Sequence, residues 1–94
     1  MPKPMSPSEV DSALIAVGGW ASVDAIAITR TFTFADHITA MGFVNRVAMV
    51  AETMDHHPDL RIVYNRVEIR LNSHDANGVT ARDIRLAEKI NQYA

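Results

Sequence analysis

Glu52, Asp55, His56, His57 and Pro58 stand within seven consecutive positions, and His56, His57 and His74 fall within 19. Histidine titrates nearest neutral pH, so clustered imidazoles offer both a proton donor and a proton acceptor without large shifts. Glu52 and His56 are four apart and share a face wherever helical geometry persists. Pro58 cannot continue a helix and moves His57 out of the helical region, so His57 lies beyond the helix end. A carboxylate such as Glu52 would fix an imidazole tautomer or bind the polar edge of a substrate. His74 belongs to the hairpin that follows, and a hairpin brings its two ends together. His74 is therefore expected to return to the helix end that carries His56 and His57. This is acid–base equipment without an evident nucleophile. Cysteine is absent, and Ser73 and His74, as strand neighbours, point to opposite faces and do not form a dyad.

Three readings of these residues stand side by side. Two histidines before a proline suit a plain helix terminus, with imidazoles near the negative end of the dipole. A divalent cation could be held by His56 or His57 with His74 and Glu52, since imidazole and carboxylate suit zinc. Acid–base catalysis is the third. Elsewhere, His37 reads as a solvent-facing residue in a first helical turn, Asp83 as a helix cap, and Trp20 and Tyr64 as core or rim.

The chain that must position these groups has 94 residues, enough for one domain with a thin core. Hydrophobic residues make up 48% and charged residues 21%, an ordinary globular balance. The absence of cysteine excludes disulfides and thiolate metal sites. A net charge of −2 gives no reason to expect nucleic acid or anionic lipid as a partner. No apolar run approaches the roughly 20 residues that span a bilayer. Met1 to Ser8 is short, polar and rich in proline, unlike a signal peptide. A cytoplasmic protein is the expectation.

Ser6, Pro7 and Glu9 form a capping box that starts a helix over 7–17, and Gly18-Gly19 ends it. Trp20 to Ser22 reads as a short strand with a turn at Val23-Asp24. From Ala25 to Phe34 the period becomes two, with Ile26, Ile28, Phe32 and Phe34 on one face and threonines on the other. Asp36 caps a long helix that must stop near Asp55. Its apolar face (Met41, Val44, Val47, Ala48 and Ala51, flanked by Phe43, Val50 and Met54) is broader than one sheet requires. Either the helix is deeply packed or it meets another subunit. Leu60–Tyr64 and Val67–Asn72 read as a hairpin. Ser73–Val79 is a loop, and Thr80-Ala81-Arg82-Asp83 resembles a capping box before a last helix lined by Ile84, Ala87 and Ile90. The expectation is one α+β domain over 1–94, in two layers. Three helices lie on one face of a four-stranded antiparallel sheet, in the order α-β-β-α-β-β-α.

Taken together, the residues resemble the pterin-4a-carbinolamine dehydratases, also called 4a-hydroxytetrahydrobiopterin dehydratases. The family pattern is an acidic residue, three positions, His-His-Pro, about five positions, an aromatic, about nine positions, a His, then an Asp after a short loop. Here Glu52, His56-His57-Pro58, Tyr64, His74 and Asp83 stand at those spacings. The flanks agree at Trp20, Phe32, Phe34, Asp36, Phe43, Ala51, Asn65 and Gly78-Val79-Thr80. The likeness runs from about Leu14 to Ile90. Two peripheral positions differ: Leu60 replaces a common aromatic, and Ser73 a common Thr.

The resemblance implies dehydration of the 4a-carbinolamine left when aromatic amino acid hydroxylases use tetrahydrobiopterin, giving quinonoid dihydropterin and water. It implies His56 and His74 as acid–base groups at the leaving hydroxyl, with His57 binding and assisting. Glu52 would hold the pterin's polar edge, and Asp55, Pro58 and Ser73 would line the site. Asp83 matches the last acid of the motif and would orient His74, cap its helix, or do both. The pterin is substrate, and neither a cofactor nor a metal is required. Family members form homodimers or homotetramers, with sheets joined edge to edge and helices packed between subunits. A functional link to a hydroxylase is implied as well. Some animal members also act as dimerisation cofactors for a transcription factor, so a non-catalytic binding role is the alternative.

Overall fold

The structure, a computed structural model, describes residues 3–94; Met1 and Pro2 of the polar N-terminal stretch lie outside the described residues. Chain order is α1 (Pro7–Val17), β1 (Ala21–Val23), β2 (Ala27–Thr33), α2 (His37–Met54), β3 (Asp59–Val63), β4 (Arg66–Leu71) and α3 (Ala81–Tyr93). The expected architecture and the order α-β-β-α-β-β-α hold. The strands form one antiparallel sheet in the order β1-β2-β4-β3.

Each helix begins where its capping chemistry places it. The Ser6 hydroxyl accepts from the Glu9 N–H while the Glu9 carboxylate accepts from the Ser6 N–H. Asp36 accepts from the Thr39 N–H at 2.7 Å. Thr80 and Asp83 form a second such box. These contacts satisfy backbone donors that a helix start otherwise leaves unpaired. Gly18 and Gly19 both have positive φ, which lets the chain leave α1 at no Cβ cost.

β2 and β4 are the central strands. Ile28, Phe32, Val67, Ile69 and Leu71 are buried beneath Phe43, Val44 and Val47 of α2, Val10 and Leu14 of α1, and Leu86 and Ile90 of α3. Phe43 lies 4.9 Å from Phe32 and 4.8 Å from Phe34, ring centre to ring centre. Thr31, Thr33, Arg66 and Glu68 lie on the opposite face, exposed to solvent. That alternation is the pattern of an antiparallel sheet wet on one side.

Three local expectations shift. Ile26 leaves the apolar face: Asp24 and Ala25 take positive φ, so Ile26 falls in the hairpin turn and is exposed. The second hairpin turns at Tyr64-Asn65, one residue earlier than the pattern suggests. Tyr64 there is exposed and has φ +54°, and its carbonyl accepts from Nδ1 of His37 at 2.7 Å. His37 is thus solvent-facing in its first turn, as expected, but it also ties the start of α2 to this turn. Of the broad α2 face, Phe43, Val44, Val47, Val50 and Ala51 are buried within the chain, whereas Ala48 is exposed, as is Met49, which the pattern does not include.

Candidate active site

α2 ends one residue before the histidine pair. Asp55 takes the left-handed conformation, φ 49° and ψ 43°, and its N–H still reaches the carbonyls of Ala51 and Glu52. Asp and Asn are among the residues that accept this geometry outside glycine. The reversal changes the partners that helical spacing alone suggests. Glu52 and His56 do not pair. Instead Nε2 of His57 lies 2.6 Å from Oε1 of Glu52, and His56 turns inward.

His56 is 8% exposed, and its Nε2 lies 2.5 Å from Oδ1 of Asp83, which is fully buried. The other carboxylate oxygen of Asp83 accepts from the Ser73 hydroxyl at 2.9 Å and from the Thr80 N–H at 2.8 Å. Ser73 and Thr80 hydroxyls are 2.8 Å apart, and Thr80 Oγ1 accepts from the N–H of Arg82. Among the described residues no fully buried side-chain polar atom lacks a partner, as a buried charge requires. Asp83 does cap α3 as expected, but the imidazole it contacts is His56, not His74.

The hairpin return places His74 beside the helix end. A cleft of about 480 Å³ is lined by Asp55, His56, His57, Pro58, Asp59, Asn72, Ser73, His74 and Asp75. All three expected histidines therefore meet on one surface. Asp55, Pro58 and Ser73 border it too, while Glu52 and Asp83 stand behind histidines rather than on the cleft wall. β4 stops at Leu71, and His74 follows in a loop closed by a bridge between Ser73 and Gly78. Ser73 is buried and His74 exposed, so the two side chains diverge. The His74 ring makes no hydrogen bond to protein among the described residues.

Asp59, Asn72 and Asp75 are lining residues that motif spacing passes over. Their only signal is adjacency, since each lies next to or one removed from a motif position. Asp75 is hydrogen-bonded by Arg82 at 2.5 Å. That guanidinium holds the Asp75 carboxyl below the usual carboxylate range, and Arg82 is raised in turn. The mouth of the cleft is thereby braced to the first turn of α3. A smaller depression of about 150 Å³ on the open sheet face, lined by Thr31, Arg61, Val63, Arg66 and Glu68, holds no histidine.

Such a donor set can serve proton transfer. Two imidazoles have Nε2 occupied by a carboxylate, one buried and one exposed, and the third, that of His74, has no such partner among the described residues. Among the described residues no three His, Asp or Glu side chains are grouped as ligands of one cation. Of the conceivable zinc set, His56 is paired with the buried Asp83, and Glu52 with His57.

Comparison with known proteins gives a consistent outcome. The family model described as pterin 4 alpha carbinolamine dehydratase matches residues 3–93. A relative from Nitrobacter winogradskyi is 56% identical over 85 residues, 89% of this chain and 84% of that protein. One from Afipia carboxidovorans is 52% identical over 84 residues, 88% of this chain and 84% of that protein. Both are provisionally named pterin-4-alpha-carbinolamine dehydratases. A crystal structure from Brucella melitensis, described as a transcriptional coactivator/pterin dehydratase, superposes with a TM-score of 0.93 at 46% identity, covering 98% of this chain and 99% of that one.

Proposed function

This chain belongs to the pterin-4a-carbinolamine dehydratase family, and from that premise we propose that it is a hydro-lyase that dehydrates 4a-hydroxytetrahydrobiopterin to quinonoid dihydropterin and water. The reaction recycles the cofactor of aromatic amino acid hydroxylases. One observation carries this reading: His56, His57 and His74 line a single open cleft, two of them backed by carboxylates.

The chemistry asks for little else. The N5 lone pair expels the 4a-hydroxyl once an acid protonates it, and a base removes the N5 proton. The C4a–O bond breaks, the N5–C4a double bond forms, and water leaves. Both steps are proton transfers suited to groups that titrate near neutrality. His56 and His74 exchange protons with the leaving hydroxyl and with N5, and His57 binds the substrate. Glu52 supports His57, and Asp55, Pro58 and Ser73 border the pterin. No metal or resident cofactor enters this scheme; the pterin is the substrate.

A homodimer or homotetramer and a cytoplasmic site of action belong to the same proposal. Ile38, Ala48 and Met49 on the outer side of α2, and Ile62 and Val63 on the unpaired edge of β3, are exposed apolar positions that fit self-association. Light scattering tests it. Among the described residues no helix is long and apolar enough to cross a membrane.

The direct test is a coupled hydroxylase assay. Purified protein should accelerate loss of the 4a-hydroxypterin intermediate; a rate equal to buffer alone sinks the proposal. The coactivator wording attached to the Brucella structure favours a second reading, a binding role toward a protein partner. Capture of a defined partner without turnover would support that role instead.

A further inference from the structure

We propose that Asp83 is a positioning residue that holds the imidazole of His56 in one tautomer, with Ser73 and Thr80 acting through it. The proposal rests on the dehydratase reading of the cleft and deepens it. Asp83 does not line the cleft and is fully buried, so its reach to a ligand runs through His56.

The hydrogen-bond directions follow from the chain of donors. Thr80 Oγ1 accepts from the Arg82 N–H, which leaves its own proton for Ser73 Oγ. Ser73 then donates to Oδ2 of Asp83, where the Thr80 N–H also donates. With two donors on Oδ2, the carboxylate has Oδ1 left as an acceptor for His56 at 2.5 Å. A carboxylate in this state only accepts, so Nε2 of His56 carries the proton. Nδ1 is the nitrogen left for the cleft, and it faces the substrate as a lone pair.

The same directions predict what an amide does at this position. In Asp83→Asn the carbonyl oxygen stays at the Oδ2 site, because the Thr80 N–H can only donate. The NH2 group then faces His56 and donates to Nε2. The proton of the neutral ring moves to Nδ1, and the cleft meets an N–H in place of a lone pair. Capping of α3 survives, since the amide oxygen still accepts from Thr80.

The experiment pairs imidazole 15N NMR with steady-state kinetics. In the wild type the neutral His56 ring should be protonated at Nε2; in Asp83→Asn it should be protonated at Nδ1. The variant's kcat for the 4a-hydroxypterin should fall by about a hundredfold or more, as it does where an amide inverts a carboxylate-held histidine, with KM little changed. Wild-type His56 protonated at Nδ1, or an Asp83→Asn variant with unchanged tautomer or wild-type kcat, overturns the proposal. Should the variant not fold, Ser73→Ala and Ser73→Thr replace it. The alanine should lower kcat roughly fivefold to tenfold by loosening Oδ2, the threonine should restore it, and equal rates in all three proteins would again overturn the proposal. The NMR readout needs no turnover. A wild-type protein with the assigned tautomer and no dehydratase activity would remove the dehydratase reading while leaving the positioning of His56 in place.

Discussion

Nε2 of His57 lies 2.6 Å from Oε1 of Glu52 across the left-handed turn that ends α2. The pair is open to water, with the two side chains 58% and 78% exposed. Exposed pairs contribute little to stability. Glu52→Gln should therefore leave the melting temperature unchanged while lowering kcat/KM about tenfold, the scale of one charge-assisted hydrogen bond. Thermal melts and the coupled hydroxylase assay check both halves. A variant with full activity would place Glu52 outside the reaction.

The histidines should separate by stability as well as by rate. His56→Ala strips the partner from a buried carboxylate, which costs roughly 3–5 kcal/mol and lowers the melting temperature by about 12 °C or more in a domain of this size. His74 is exposed and its ring makes no hydrogen bond to protein among the described residues, so His74→Ala should melt with the wild type. Both should lose activity while retaining the wild-type circular dichroism spectrum at low temperature. Full rates in both variants would mean that the cleft is not the active site.

Much of this fold is readable from local chemistry. The box formed by Ser6 and Glu9, the cap at Asp36 and the box formed by Thr80 and Asp83 use contacts three residues apart, and all three helices start where those residues stand. The cleft is readable too, because a hairpin must bring His74 back toward His57. What escapes is the choice of partner for each imidazole. It depends on Asp55 reversing the chain after α2, and a left-handed Asp leaves no mark in a periodic pattern. The bond from His56 to Asp83 joins residues 27 apart through the interior, and no local spacing predicts it. Ile26 is missed for a related reason: alternation assigns it to a strand that the Asp24-Ala25 turn has not yet begun.

Asn91 holds one end of the molecule together far from the cleft. Its Oδ1 accepts from Trp20 Nε1 at 2.8 Å and from Arg30 at 2.9 Å, and its Nδ2 reaches the carbonyls of Val17 and Gly18. These bonds tie the end of α1 and the strand β2 to the last turns of α3. Asn91→Ala leaves the partly buried indole N–H unpaired and should cost about 2–3 kcal/mol. The measurement is a urea melt beside the assay: a lower midpoint with unchanged KM is expected, and a changed KM at full stability would contradict a purely structural role.

Acid should weaken the fold through carboxylates outside the cleft as well as at its mouth. The Ser6 N–H and hydroxyl lower Glu9 from its ordinary 4.5, and the Thr39 N–H lowers Asp36 from 3.8. The hydrogen bond from Arg82 lowers Asp75 from 3.8. In each case the folded protein favours the charged form more than the unfolded chain does. Their contribution is therefore complete above the ordinary values and is lost as pH falls through those values and then through the lowered ones. Replacing all three groups by Glu9→Gln, Asp36→Asn and Asp75→Asn should lower the melting temperature near pH 7. The gap to the wild type should narrow as pH drops below about 4.5 and be smallest near pH 3. Added salt should shrink the part owed to Asp75 and Arg82, which face water. A gap that stays constant from pH 7 to about pH 3 would show that these carboxylates do not stabilise the fold through their charge.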